Sequence, residues 1–249
     1  MADAPTLRAL HVPGSPIVLA NAWDPVSAVL IEQAGFPAVA TSSVAVAQTQ
    51  GSEDHEVMSG DQALGAAKKI IDVVAVPVTV DFEAGYSLEP DAIAYGLLGI
   101  GASGCNLEDS DHRKPGSLVD ASTHAARIAA VRAAAGDALV INARVDTFAR
   151  RLPNAREEAI ERGKRYLDAG ADCVYPITVA DEDDVATLVA ALGVVNVNLA
   201  PRSPSIARFA ELGVARISVG SGLHRIMTKE VGAVLAALRD GDDSAFREA

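Results

Sequence analysis

The sequence is short of basic residues, and this shortage excludes two common classes of function. It contains 21 Lys and Arg against 33 Asp and Glu, a formal net charge of −12 at pH 7. Because no basic stripe is present, we expect no binding to nucleic acid or to an anionic membrane surface. A small anionic substrate would need local positive groups or a metal ion to hold it against the overall negative field.

Cysteine and aromatic residues are also scarce. The two cysteines, Cys105 and Cys173, fall in apolar, strand-like runs, which predicts buried thiols rather than a disulfide or a nucleophile. Aromatic residues make up 4% of the chain, whereas the apolar fraction is 49%. The core must therefore be built from Ala, Val, Leu and Ile, which suits a parallel sheet wrapped by helices and argues against disorder.

Long apolar runs are missing too. Residues 1–11 lack the apolar segment of a signal peptide, and no run of about 18 apolar residues occurs in the sequence. We therefore expect a soluble, cytoplasmic protein.

The order of elements predicts an α/β fold in which strands and helices alternate. Short apolar strands are predicted at residues 17–20, 38–41, 78–81, 104–107, 138–142, 172–175, 194–199 and 215–219, each followed by a helix. Eight such units without a linker predict a single (β/α)8 TIM-type barrel spanning residues 1–249. An open doubly wound sheet is the alternative, although no G-x-G-x-x-G motif follows the first strand to indicate a dinucleotide site.

The third strand carries the most informative stretch of the sequence. It runs from Val78 into Asp81 and Glu83, two acidic residues spaced so that both side chains lie on one face of a strand. Two carboxylates at the end of a buried strand are costly unless a positive group lies between them. A hard divalent cation such as Mg²⁺ fits this need, and a solvated loop with an ordinary salt bridge is the other interpretation.

Other polar residues end neighbouring strands, where a barrel places its active site. Glu108 could complete a metal site with the two acids of the third strand, and Arg144 could bind a carboxylate bidentately. Backbone N–H groups at Ser42, Ser43 and Val44 could bind another anionic group. Together these features predict a small dianionic or 2-oxo acid bound to metal, whereas Asp24, Asp109 and Ser218 suit ordinary capping or loop roles.

Six motifs, in this order and spacing, resemble the isocitrate lyase/phosphoenolpyruvate mutase superfamily over essentially the whole chain. They are Asn21-Ala22-Trp23-Asp24, Thr41-Ser42-Ser43, Gly51-Ser52-Glu53-Asp54, Asp81-Phe82-Glu83-Ala84-Gly85-Tyr86, Asn106-Leu107-Glu108-Asp109 and Asn142-Ala143-Arg144-Val145-Asp146.

The resemblance implies an α/β barrel, a Mg²⁺ site that Mn²⁺ could also fill, and reactions on 2-oxo or 2-hydroxy acids through an enolate-like intermediate. Asp81 would be the main metal ligand, with Glu83 and Glu108 in its water shell. The resemblance further implies a homo-oligomer, a dimer or a tetramer, in which C-terminal helices exchange between subunits. The substrate-binding candidates are Trp23, Ser42, Ser43, Val44, Asp81, Arg144 and Asn198, and the catalytic candidates are Asp54, His112 and Arg144.

The loop after the fourth strand departs from the superfamily. Its carbon–carbon lyases carry a Lys-(Lys/Arg)-Cys-Gly-His motif there, but residues 110–118 contain no cysteine. Lys114 and Ser117 fit the Lys-Thr-Asn-Ser pattern of the phosphonopyruvate enzymes, whereas Pro115 and Gly116 do not. The segment is interpreted as a mobile lid with His112 as a proton donor, or as a plain solvated loop.

These observations predict a Mg²⁺-dependent lyase or decarboxylase-like enzyme that acts on a small 2-oxo or 2-hydroxy dicarboxylate. One alternative is a phosphonopyruvate-type mutase or hydrolase that breaks a phosphorus–carbon bond. The other is a barrel that binds a 2-oxo acid without turning it over.

Overall fold

The computed structural model describes residues 3–247, and within them the strands are short and parallel. The strands are β1 (Ile17–Leu19), β2 (Asn21–Ala22), β3 (Val39–Thr41), β4 (Val78–Asp81), β5 (Gly104–Glu108), β6 (Val140–Val145), β7 (Cys173–Pro176), β8 (Asn196–Asn198) and β9 (Arg216–Ser218). β1 and β2 are successive segments of one barrel strand, interrupted at Ala20, so the nine segments form the eight predicted strands.

The strands close into a barrel. One ladder runs from β2 through β3, β4, β5 and β6 to β7, and the other joins β1, β9 and β8. The two ladders meet where β1 continues into β2 and where a parallel bridge links Val174 to Val195. The (β/α)8 prediction is therefore confirmed. The open doubly wound sheet is excluded, because such a sheet would have two unpaired edges.

Helices follow the strands as predicted, with two additions. The helices are α1 (Ala4–Ala9), α2 (Pro25–Gln33), α3 (Ser43–Thr49), α4 (Gly60–Ile71), α5 (Pro90–Gly99), α6 (Ala121–Ala135), α7 (Ala155–Asp168), α8 (Glu182–Leu192), α9 (Ile206–Glu211) and α10 (Gly222–Arg239). The sequence analysis did not predict α1 and α3. Both are shorter than two turns, so neither shows a full helical period of apolar residues.

Helix α1 closes the end of the barrel at which the strands begin. The Asp3 carboxylate caps this helix by accepting a hydrogen bond from the N–H of Thr6 (3.0 Å). Leu7 is fully buried in an apolar cluster with the first residues of several strands, including Ile17 and Val140. Solvent is thereby excluded from this end, and the polar site must lie at the opposite, carboxyl end of the strands.

Cysteine plays a structural role, as predicted. Cys105 and Cys173 are free and buried. Burial raises the pKa of each thiol to about 12, so neither forms a thiolate near neutral pH. Separately, within residues 3–247 no helix is long and apolar enough to cross a membrane.

The imidazole of His124 on α6 makes the fold sensitive to acid. It is buried with its ring edge-on to Tyr166, at 4.9 Å between centroids. Burial, assisted by the charge of Arg127, lowers the pKa of His124 to about 3. His124 therefore binds a proton near pH 6.5 in the unfolded chain, but only near pH 3 in the folded chain. The free energy of unfolding is consequently highest above pH 6.5 and falls as the pH decreases towards 3.

We expect protonation of His124 in the unfolded chain to lower the free energy of unfolding by about 2 kcal/mol when the pH is lowered from 7 to 5. Urea unfolding of the wild type and of His124→Gln at both pH values measures this loss of stability. The variant should lose less stability over this interval than the wild type. Equal losses in the two proteins would show that His124 does not carry the effect.

Candidate active site

A cavity of about 220 Å³ opens at the carboxyl ends of the strands. Its walls include seven of the residues predicted from sequence: Ser42, Ser43, Val44, Asp54, Asp81, Arg144 and Asn198. It is also lined by residues that the sequence analysis did not select, among them Asn106, Tyr175 and Arg225. The chain thus brings most of the candidate residues from separate strands and loops to one small polar compartment.

Asp81 is held rigidly in the wall of this cavity. Its Oδ2 accepts a hydrogen bond from the N–H of Ser43 at the start of α3 (3.1 Å), and its Oδ1 accepts one from Nδ2 of Asn106 (3.2 Å). Its own N–H donates to Oγ1 of Thr41 (2.9 Å). Two neighbouring elements therefore orient the carboxylate and a third holds its backbone, while the remaining lone pairs of the carboxylate can still accept a cation.

The predicted backbone donors at the start of α3 are partly occupied. The N–H of Ser42 donates to the carbonyl of Ala22 (3.2 Å), and the N–H of Ser43 donates to Asp81. Of the three predicted donors, only the N–H of Val44 lacks an acceptor in the described part of the chain. The N–H of Ser43 therefore orients Asp81 and is not available to an anionic group.

Glu83 lies just beyond β4 in a strained segment. Its φ angle is 44°, in the left-handed region, and both of its carboxylate oxygens are held. The Tyr86 hydroxyl donates to Oε1 (2.6 Å), and the N–H of Glu56 donates to Oε2 (2.8 Å). Burial and the charges of Asp54, Asp81 and Glu108 together raise the pKa of Glu83 to about 7, against the effect of the Tyr86 hydrogen bond.

Glu108 and Arg144 form an ion pair at the carboxyl ends of β5 and β6, and this pair is called the charged centre below. Nη1 of Arg144 lies 2.5 Å from Oε2 of Glu108, and its Nε and Nη2 donate to the two oxygens of Asp146 at 2.7 and 2.9 Å. Burial raises the pKa of Glu108, although the Arg144 charge opposes this effect. The guanidinium is therefore already engaged by two carboxylates before a substrate arrives.

His112 contacts this centre from the lid segment. Its Nε2 lies 2.8 Å from Oε1 of Glu108 and 3.8 Å from Oε2 of Glu83, and only 7% of its side chain is exposed. Burial lowers the pKa of His112, but the hydrogen bond to Glu108 and the charges of Glu108, Glu56 and Glu83 outweigh burial and leave it raised. The ring therefore lies beside the acids, in a neighbouring cavity rather than in the one that contains Asp81.

The donor set suits a divalent cation. Burial is the main cause of the raised pKa of Glu83, and repulsion from the nearby carboxylates of Asp54, Asp81 and Glu108 adds to it; a cation would relieve this repulsion. Asp81, Glu83 and Glu108 offer the oxygen ligands that Mg²⁺ prefers. A second grouping, His55, Glu83 and His112, brings one ligand atom from each residue within 4.8 Å of the others, and its imidazoles suit Mn²⁺ better than Mg²⁺.

Four predicted site residues do not line the cavity: Trp23, Glu83, Glu108 and His112. Glu108 lines the adjacent cavity. Trp23 packs against the core, with its ring 5.1 Å from that of His224 on α10, and His112 occupies the adjacent compartment. Asp24, which was interpreted as a helix cap, accepts a hydrogen bond from the N–H of Ser27 (2.7 Å) at the start of α2. Of the cavity residues that the sequence analysis did not select, Tyr175 could have been found because it ends a predicted strand. No local motif distinguishes Arg225.

Comparison with known proteins places this architecture in a defined group. The family model described as phosphoenolpyruvate phosphomutase matches residues 7–239. An uncharacterised protein of Mycobacterium tuberculosis (strain ATCC 25618 / H37Rv) is 37% identical over 235 residues, which cover 94% of this chain and 88% of that protein. A crystal structure from Burkholderia cenocepacia J2315, provisionally assigned as a phosphonomutase, has a TM-score of 0.89 at 36% identity and covers 94% of this chain and 98% of its own.

A more distant relative has a named reaction. The 2-methylisocitrate lyase of Bacillus subtilis (strain 168) is 27% identical over 183 residues, which cover 70% of this chain and 57% of that enzyme. The group thus contains lyases as well as mutases, and the prediction of a lyase-type enzyme is confirmed at this level. The chain belongs to the phosphoenolpyruvate phosphomutase family, within the isocitrate lyase/phosphoenolpyruvate mutase superfamily.

Proposed function

We propose that this enzyme is a Mg²⁺-dependent lyase or decarboxylase-like enzyme for a small 2-oxo or 2-hydroxy dicarboxylate. The observation that carries the proposal is the 220 Å³ cavity with the rigidly held Asp81 in its wall and two arginines, Arg144 and Arg225, around it. Bound Mg²⁺, held by Asp81, Glu83 and Glu108, would polarise the 2-oxygen of the substrate and stabilise the negative charge that develops as the bond breaks. The small volume favours a short-chain acid.

Arg225, near the start of α10, supports recognition of a second carboxylate. Its hydrogen bond within residues 3–247 goes to Oγ of Ser221 (3.0 Å), and no carboxylate in that range pairs with it. Arg144, by contrast, is engaged by Glu108 and Asp146. In a strongly negative protein, Arg225 is therefore the guanidinium available to neutralise the far end of a dicarboxylate.

Proton transfer in this proposal uses groups beside the cavity. Nε2 of His112 lies 2.8 Å from Oε1 of Glu108, and a movement of the lid would bring a proton on this nitrogen towards the substrate. Asp54 lines the cavity, and its Oδ1 is buried without a hydrogen-bond partner in the described chain. Its carboxylate is therefore a candidate to accept or orient a proton of the substrate.

Phosphorus–carbon chemistry is the second candidate function, and the phosphonomutase-like neighbour at 36% identity favours it. Release of inorganic phosphate from phosphonopyruvate would indicate a hydrolase. Conversion of phosphonopyruvate to phosphoenolpyruvate would indicate a mutase.

The proposed function is tested by a turnover screen with NMR detection. The panel contains oxaloacetate, substituted malates, isocitrate, 2-methylisocitrate and phosphonopyruvate, each with Mg²⁺ and with EDTA. Metal-dependent release of pyruvate or another 2-oxo acid supports the lyase. Turnover of phosphonopyruvate alone would replace the lyase proposal with the second candidate.

We expect Arg225→Ala to raise KM for the dicarboxylate at least tenfold, because the far carboxylate loses its charged partner. kcat should change less, since this contact lies away from the bond that breaks. The measurement is steady-state kinetics with a substrate found in the screen and with its monocarboxylate analogue. Lys229→Ala, one turn further along α10, is the matched control, and an equal KM change for both substrates would refute the assignment of Arg225.

We also propose that the enzyme is a homo-oligomer held together through α10. This 18-residue helix has no buried residue, and its apolar side chains recur on one face at Leu223, Ile226, Met227, Val231 and Leu235. A stripe of this size and spacing usually packs against another helix or subunit. Exchange of this helix between subunits, as the resemblance implies, would cover it.

Replacing Val231 and Leu235 by lysine should therefore yield monomers, because two charges would face the apolar contact. Size-exclusion chromatography with light scattering measures the mass of the wild type and of the double variant. Lys229→Glu, which changes charge on the same helix outside the stripe, is the control. A monomeric wild type would contradict the proposal.

A further inference from the structure

Arg216 is an unusual residue for the interior of a barrel. It lies on β9 with 1% of its surface exposed, among the largest fully buried side chains. Its Nη2 donates to Oδ1 of Asn106 (3.3 Å), while Nε and Nη1 have no partner within residues 3–247. No carboxylate in that range forms an ion pair with it. A buried, unpaired guanidinium is costly, so its presence requires a reason other than packing.

The contact with Asn106 leads directly to the candidate metal site. Oδ1 of Asn106 accepts hydrogen bonds from Nη2 of Arg216 and from Nδ2 of Asn142 (2.8 Å). Two donors on the oxygen leave the amide nitrogen of Asn106 to face Oδ1 of Asp81, at 3.2 Å. The side-chain amide therefore has one favourable orientation, and that orientation presents a donor to Asp81.

We infer that Arg216 is a positioning residue that keeps Asp81 correctly oriented for the divalent cation, acting through Asn106. The inference rests on the proposed function, because it assigns Arg216 to the metal site of that function. It separates two roles that a buried charge can have. A guanidinium kept for the fold stabilises the protein, whereas one kept for the site orients a metal ligand at the expense of the fold.

The test compares metal binding with stability in the full chain. Arg216→Met removes the charge and the donor but keeps an unbranched apolar side chain. We expect it to weaken Mn²⁺ binding, measured by the EPR signal of free Mn²⁺, at least tenfold. The free energy of unfolding of the metal-free protein should stay the same or rise, because removing an unpaired buried charge relieves its desolvation cost.

Thr79→Val is the matched control, since it removes another buried polar group, Oγ1 of Thr79, that has no partner in the described chain. It should bind Mn²⁺ as the wild type does. If Arg216→Met does not fold, Asn106→Leu breaks the same connection and should weaken Mn²⁺ binding similarly. Wild-type affinity in a folded Arg216→Met or Asn106→Leu protein would overturn the inference. Absence of Mn²⁺ binding in the wild type would instead overturn the proposed function.

Discussion

Replacing Asp81 by asparagine is expected to lower kcat/KM by about a thousandfold or more, because the Lewis-acid contribution of a metal is worth several kcal/mol. Asparagine keeps the size of the side chain and a hydrogen-bond acceptor for Ser43 or Asn106, but it loses the negative charge. Metal affinity, measured by calorimetry, should fall together with activity. Stability should change little, since one end of the amide can still accept a hydrogen bond.

Asp181→Asn is a suitable control for this substitution. That carboxylate caps α8 by accepting hydrogen bonds from the N–H groups of Asp183 and Asp184, away from the cavity. The control should retain metal binding and turnover. An Asp81→Asn enzyme with undiminished Mg²⁺-dependent turnover would remove Asp81 from the metal site.

Replacing Arg144 by methionine is expected to have the second large effect, and it should appear in stability as well as in activity. The guanidinium is shared between Glu108 and Asp146, which are both buried. Removing it leaves two uncompensated buried acids, and breaking a buried pair of this kind costs about 3–5 kcal/mol. Urea unfolding at pH 7 measures the loss, and turnover should fall below detection.

A double variant identifies the cause. Adding Glu108→Gln to Arg144→Met removes one of the two unpaired charges, so part of the lost stability should return although activity does not. Additive losses in the two substitutions would show that the Glu108–Arg144 pair contributes no coupling energy. Arg144→Lys should be intermediate, because a single ammonium group cannot engage both carboxylates with the geometry of a guanidinium.

The architecture was accessible from the sequence because it rests on local signals. Each strand is a short apolar run, and helices such as α2 begin at a capping residue followed by proline, as Asp24 and Pro25 show. Parallel strands with helical crossovers place all strand ends on one side, so Asp81, Glu108 and Arg144 could be grouped before the structure was known. The resemblance to a superfamily added roles to these residues.

The remaining features depend on contacts that no local pattern encodes. Arg144 was predicted to be a free carboxylate clamp, and its role in substrate binding remains a prediction. The structure shows it engaged by Glu108 and Asp146, because the register of β5 and β6 places Glu108 beside Arg144. Arg225 reaches the cavity only because the start of α10 follows β9 at the barrel mouth. In the sequence, Arg216 looks like an exposed polar residue in an alternating strand, and only the closed barrel shows that its side chain is buried.

The most direct test of the account uses NMR to follow the release of a 2-oxo acid from the same panel of small acids. Wild-type and Asp81→Asn proteins are compared in Mg²⁺ and in EDTA, since some of these acids decompose slowly with the metal alone. We expect product from the wild type in Mg²⁺ only, and background rates in the other three conditions. Equal rates from the two proteins in Mg²⁺, or undiminished wild-type turnover in EDTA, would contradict a metal-dependent reaction centred on Asp81.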